Sequence, residues 1–253
     1  MVPLNQKFLV VEGLSLLGVF MNWTLFWILV ICGAAAFVAY FFYSQREIAY
    51  LSILLYRQGN ADAYLKELDT RAAKFFFSKK MRTLMKIDAY LVKDDKDALD
   101  RIFSEAAKEK LRDADRFLVL QKEMLYRIDM QDYMPVKEIY TQMNSLYKEL
   151  PKKAKERYKE SLQEAQYLET IYVEKDGKYA GELMEKARNL QDDIPSGVCY
   201  FRAAQSYYLR DDKKQAKLAL EKAEGKLRNT KSHEVVENIQ KTGDLDLLLK
   251  TRV

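Results

Sequence analysis

The chain holds one histidine, two cysteines, four prolines and nine glycines among 253 residues. Each scarcity excludes a class of protein. With His233 alone, a histidine-built zinc site, a Ser-His-Asp triad and an imidazole relay all lack their parts, and a solvated place in a polar segment suits this lone ring. Cys32 falls in an apolar run and Cys199 in a predicted soluble helix, so they do not pair, and neither a disulfide framework nor a CxxC pair exists. That is compatible with a reducing cytoplasm, although exported helical proteins also lack disulfides. So few glycines and prolines argue against an all-β or Rossmann-like design, and no glycine-rich phosphate loop is present. Charge is missing over one long stretch, between Glu12 and Arg46.

That stretch predicts a membrane span. The roughly twenty residues from Trp23 to Tyr43, at 1.5 Å of rise each, match a hydrocarbon core of about 30 Å. Leu25, Phe26, Ile28, Leu29, Ile31, Phe37 and Phe41 each favour insertion, and no charge opposes them. Trp23 and Trp27 at one end and Tyr40 and Tyr43 at the other stand where amphipathic rings sit at headgroup level. Ala34, Ala35 and Ala36 offer a small-residue cleavage site, but Phe37 to Phe42 continue the apolar run beyond them, which favours an uncleaved anchor. Residues 1–21 form an interfacial or disordered flank, because the second apolar run, Phe8 to Phe20, is short and contains Glu12. A start at Met21 is an alternative that N-terminal peptides covering Lys7 would refute. Lys7 alone precedes the span while Arg46, Arg57, Lys66, Arg71 and Lys74 follow it, which directs the C-terminal domain to the cytoplasm.

Beyond the span, 22–44, the composition is that of a folded helical body. The 42 basic and 37 acidic residues are interleaved, so the net charge of +5 and the pI of 8.9 describe a mixed solvated surface rather than a nucleic-acid footprint. Amphipathic segments alternate with short polar turns, and apolar or small residues recur at n, n+4 and n+7, one face of a helix. The sets are Leu99, Phe103, Ala106; Val136, Tyr140, Met143; Ala180, Met184, Ala187; and Ala216, Leu220, Ala223. Their starts are 37, 44 and 36 residues apart, and Tyr64 with Leu68 opens a weaker set 35 residues before Leu99. Such a period marks stacked helical hairpins. Asp94-Asp95 and Asp211-Asp212 stand five and four residues before Leu99 and Ala216, where carboxylates cap a helix start. Asp192-Asp193 is read in the same way. Pro151 and Pro195 mark the first turns of further helices, and Gly59-Asn60 a turn in the first pair.

The last pair, Pro195 to about Lys226, resembles a tetratricopeptide repeat (TPR). Tyr200, Ala204 and Tyr207 meet the family's aromatic, small, Tyr pattern, and Ala216, Leu220 and Ala223 its second-helix signature. Arg228 replaces the frequent closing Pro and Ala203 the usual Leu. Tyr90, Leu99, Phe103 and Ala106 of the second unit fit while Thr83 and Lys86 do not, and the third and fourth units keep only the second-helix spacing. The expected fold class is therefore all-α: an N-terminal transmembrane helix, then a TPR-like α-solenoid of about five helical hairpins over 45–229, then a capping helix and tail, 230–253. Close helix packing accounts for the small residues, and stacking buries a core that no hairpin forms alone.

The resemblance implies a concave groove lined by first-helix residues, which names Phe201, Gln205 and Tyr208, with Leu84, Asp88 and Leu91 in an earlier unit. The family's Lys and Asn clamp for C-terminal carboxylates is not evident at these positions. The expected function is a single-pass membrane adaptor or assembly scaffold that binds a protein or peptide, with no catalytic residues, no cofactor, no metal, no nucleic acid and no small-molecule substrate indicated. Alternatives are an exported chaperone-like holder for envelope or secreted proteins, and an enzyme or sensor with an unrecognised site, although the tail from Thr230 has no Cys. Asn22-Trp23-Thr24 matches a glycosylation sequon but abuts the span. Phe75-Phe76-Phe77 before Lys79, Lys80 and Arg82 reads as two rings buried between hairpins, or as Phe77 and the cations meeting anionic lipid headgroups.

Overall fold

The computed structural model describes residues 5–228, 230 and 232–250, with side chains from Trp23 onward. Residues 1–4, and the side chains of 5–22 on which the reading of the N-terminal flank turns, lie outside the described residues. The described residues form an all-α protein, 84% helical and without a strand. The chain divides into two compact units, one through Asp94 and one from Asp95.

In the first unit, α1 (Asn5–Ser52) begins before the apolar run and continues past it, ending in a π-helical turn, Ile53–Arg57. Its stretch from Trp23 is long and apolar enough to cross a membrane, and none of the most apolar window is buried. Leu29, Ile31, Phe37 and Phe42 are exposed along it. A core helix of a soluble body would instead bury such residues. The character changes near Leu51, where Leu51, Leu54 and Leu55 turn inward against Tyr64, Leu68, Ala73, Phe77 and Ala89. Those come from α2 (Ala61–Leu68), α3 (Arg71–Phe76) and α4 (Lys79–Lys93). Each of the three is opened by a side-chain cap: Asn60, Thr70 and Ser78 accept from the backbone N–H of Ala63, Ala73 and Met81. Gly59, at φ +65, makes the turn expected of Gly59-Asn60.

The second unit carries α5 (Lys96–Lys108), α6 (Asp113–Asp129), α7 (Val136–Glu149), α8 (Lys152–Glu169), a π-helical turn (Thr170–Glu174), α9 (Ala180–Asn189), α10 (Asp193–Leu209), α11 (Lys213–Leu227), α12 (Ser232–Thr242) and a 3₁₀ turn, Leu245–Leu249. Helices adjoining in sequence pack on one another: α6 on α7, α7 on α8, α9 and α11 on either flank of α10, and α12 on α11. The residues at n, n+4 and n+7 do face the core. Leu99, Phe103, Ala106, Val136, Met143, Ala180, Met184, Ala187, Ala216, Leu220 and Ala223 are buried, and Tyr140 is partly so. Small residues let α10 approach its neighbours. A Cβ on Gly197 would lie 2.6 Å from Leu227 Cγ, so the α10 and α11 contact depends on its absence.

The acidic doublets show a division of labour within each pair. Asp94 and Asp211 take left-handed backbone angles, φ 54 and 59, while Asp95 and Asp212 accept from the N–H of Ala98 and Gln215. One carboxylate residue tolerates the turn and the next caps the helix. The third doublet departs from the capping expectation: Asp192 makes no side-chain cap, and Asp193 pairs with Lys226 at 2.6 Å. Pro151 precedes α8 and Pro195 lies in the first turn of α10, where no intrahelical N–H bond is lost.

Glu169, at the end of α8, is 5% exposed, and burial, with Glu174 adding to it, holds its carboxyl above the usual carboxylate range against the pull of Lys137 and Lys178. A raised folded value means that Glu169 favours the fold below pH 4.5 and loses that contribution as pH rises through the folded value. Glu169→Gln keeps the shape and removes the charge. Its melting temperature, measured against the parent from pH 4 to 7, is expected to gain steadily with pH and then level off; a constant difference would assign the effect to something other than this ionisation.

Candidate functional site

The α10 sequence places Phe201, Gln205 and Tyr208 at i, i+4 and i+7, on one face of the helix. The structure brings these three together, but not around an open groove. Phe201 is 1% and Gln205 0% exposed, and only Tyr208 is half-buried. The chain's own C-terminal segment is seated on this face. Gly243, at φ +66, ends α12 and turns the chain back, Asp244 accepts from the N–H of Asp246, and the 3₁₀ turn then packs on α10 with Leu245 and Leu248 buried.

Two polar side chains of α10 bond to this segment. Gln205 Nε2 donates one hydrogen to the carbonyl of Leu248 and the other to Tyr172 Oη, each at 2.7 Å. A neutral carboxamide that reads a backbone carbonyl is indifferent to sequence. Tyr208 Oη donates to the Asp246 carboxylate, and that bond, with burial adding to it, raises the phenol above its ordinary value of 10. The phenol thus meets a carboxylate, while Leu245 and Leu248 are buried beside it. Tyr172 reaches Gln205 from the π-helical turn, whose extra residue rotates the chain relative to α8. It stacks on Tyr133 at 5.9 Å, and Lys175 lies over the Tyr133 ring at 4.7 Å.

Leu84, Asp88 and Leu91 belong to α4 in the first unit, at i, i+4 and i+7, and all three are partly exposed. Asp88 helps to raise the phenols of Tyr56 and Tyr64, second in each case to burial. The sequence reading missed Tyr172, Leu245, Asp246 and Leu248. Leucines at 245 and 248 after an Asp were a visible signal of a short capped turn with one apolar side, but nothing local names α10 as its partner.

An open depression of about 410 Å³ lies elsewhere on the second unit, lined by Glu164, Lys186, Ile194, Cys199 and Arg202. Arg202, itself buried, pairs with Glu164. Burial pushes the Cys199 thiol up, which keeps it protonated and poorly nucleophilic. Among the described residues no cluster of three or more His, Cys, Asp or Glu side chains could hold a metal ion. Compared with protein-family models, with curated proteins and with solved structures, the chain finds no match.

Proposed function

We propose that the chain is a membrane-anchored adaptor whose helices stack as a TPR-like array in the cytoplasm and bind another polypeptide through the α10 face. One observation carries this reading: two of the residues that the repeat resemblance assigns to a groove, Gln205 and Tyr208, already hold a polypeptide segment, and Gln205 grips it by a backbone carbonyl. An intramolecular segment that follows a glycine turn is exchangeable for a partner of the same chemistry, short, leucine-rich and acidic. The apolar α1 stretch supports the anchor, and the packing of sequence neighbours within the second unit, α6 to α8 and α9 to α12, supports the array.

The test uses a photo-crosslinking residue at position 208 in native membranes. One dominant protein adduct is expected, and a synthetic peptide of residues 243–250 is expected to compete with it while a scrambled peptide does not. An adduct indifferent to the peptide, or none beyond the chain's own tail, sinks the reading. A reporter fused after Val253 separates the sides: activity confined to the cytoplasm supports the adaptor, and activity confined to the opposite side moves the same face to an exported holder.

A further inference from the structure

The three phenylalanines of α3 and its C-cap part company in the structure. Phe77, the ring assigned to lipid on sequence grounds, is 2% exposed and belongs to the core of the first unit. Phe76 packs against that core, and Phe75 is 73% exposed. Three successive positions here point in different directions, so the same hydrophobic run supplies both a core residue and a surface one.

What surrounds Phe75 says what covers it. Its ring meets Tyr40 edge-on at 5.9 Å and Phe76 at 5.2 Å, and Tyr40 also meets Phe76 at 5.5 Å. Tyr40 lies within the apolar run, six residues before Arg46, the first charge after it. At 1.5 Å per residue that is about 9 Å of helix on the apolar side of the charge. Tyr40 Oη also donates to the carbonyl of Phe76 at 3.2 Å. The last carbonyls of a helix have no partner inside it, and in apolar surroundings such a group needs a donor supplied by protein. The end of α3 is therefore furnished for a medium poor in water. Around it, residues 71–82 carry five cations, Arg71, Lys74, Lys79, Lys80 and Arg82, and no carboxylate.

We propose that α3 is a second membrane contact beside the span: Phe75 enters the boundary between headgroups and acyl chains at the level of Tyr40, and Arg71, Lys74, Lys79 and Lys80 meet anionic headgroups. This rests on α1 spanning the bilayer. The contact holds the first unit against the surface at two points, so the unit cannot swivel freely about α1. Each cation near an anionic surface adds about 1 kcal/mol of attraction, and an aromatic ring prefers the interface.

The experiment places a nitroxide at position 75 (Phe75→Cys, with Cys32→Ala and Cys199→Ala) in the full chain reconstituted into vesicles. Position 75 is exposed, so the label leaves the fold intact. In vesicles of phosphatidylcholine mixed with phosphatidylglycerol, collisions with a water-soluble nickel chelate are expected to fall several-fold at 75 relative to a label at Tyr56, and collisions with oxygen to rise. In phosphatidylcholine alone, or with Lys74, Lys79 and Lys80 all changed to Ser, that protection is expected to weaken. A label at Leu29, in the middle of the span, separates the two claims. Protection at 29 with water-like behaviour at 75 overturns the second contact, water-like behaviour at both positions overturns the span, and equal protection in both lipids overturns the assignment to anionic headgroups.

Discussion

Changing Leu248 to Asp releases the C-terminal segment from α10 while leaving the rest of the second unit folded. Leu248 is fully buried, and burying a leucine contributes about 1.5–3 kcal/mol. A carboxylate in its place adds a desolvation cost. A combined loss of about 3 kcal/mol shifts docking by more than about a hundredfold. Gly243 gives the segment a hinge at the end of α12, on which it also packs, so the loss is expected as local opening rather than global unfolding. Limited proteolysis is expected to clip the chain between residues 244 and 250 at a rate raised by a similar factor, with a nearly unchanged melting temperature. In native membranes the crosslink from position 208 to a partner is expected to strengthen. A large fall in melting temperature without selective clipping would show the segment to be part of the cooperative core, and displacement by a partner would then be ruled out.

A second large effect is expected from Gly177→Ala. An added Cβ there would lie 2.0 Å from the carbonyl oxygen of Ser206 and 2.6 Å from Arg210 Cγ. The arginine side chain can swing aside, but the Ser206 carbonyl is part of α10 and cannot move without shifting the helix. Overpacking of this kind costs about 3 kcal/mol, which for a body of this size lowers the melting temperature by about 6–12 °C. Gly181→Ala is the internal control. Nothing lies within 4 Å of a Cβ there, and Gly181 stands in the first turn of α9, where alanine fits the helix at least as well as glycine, so little change or a small gain is expected. Equal effects at the two positions would refute the close approach. Ser206 adjoins Gln205, so the 177 variant is also expected to loosen the C-terminal segment.

An apolar helix long enough to cross a membrane, the helical character of the rest and several helix starts were legible in the sequence because their causes are local. A membrane helix is announced by a charge-free run, the core face of an amphipathic helix by residues at n, n+4 and n+7, and a helix start by an acidic pair. Asp94-Asp95 and Asp211-Asp212 behaved as that local chemistry requires. Asp192-Asp193 did not: α10 starts at Asp193 itself, so the second Asp lies inside the helix, where it pairs with Lys226, 33 residues away, and Asp192 at the N-cap makes no side-chain cap bond. The two π-helical turns have no sequence signature, since one extra residue in a turn leaves composition and periodicity almost unchanged.

For the candidate site, the sequence by itself determined that Phe201, Gln205 and Tyr208 share a helix face, and that one of three consecutive phenylalanines had to differ from the others in exposure. Helical geometry suffices for both. Only the tertiary structure decided that residues 245–249 sit on that face, that Tyr172 completes it from 33 positions upstream of Gln205, and that Phe75 rather than Phe77 is the ring on the surface. The reason is physical. Periodicity says that a side chain needs a partner of a given kind, but many segments of this chain offer leucine or a carbonyl, and the choice among them is made by which ones the packed helices bring within reach.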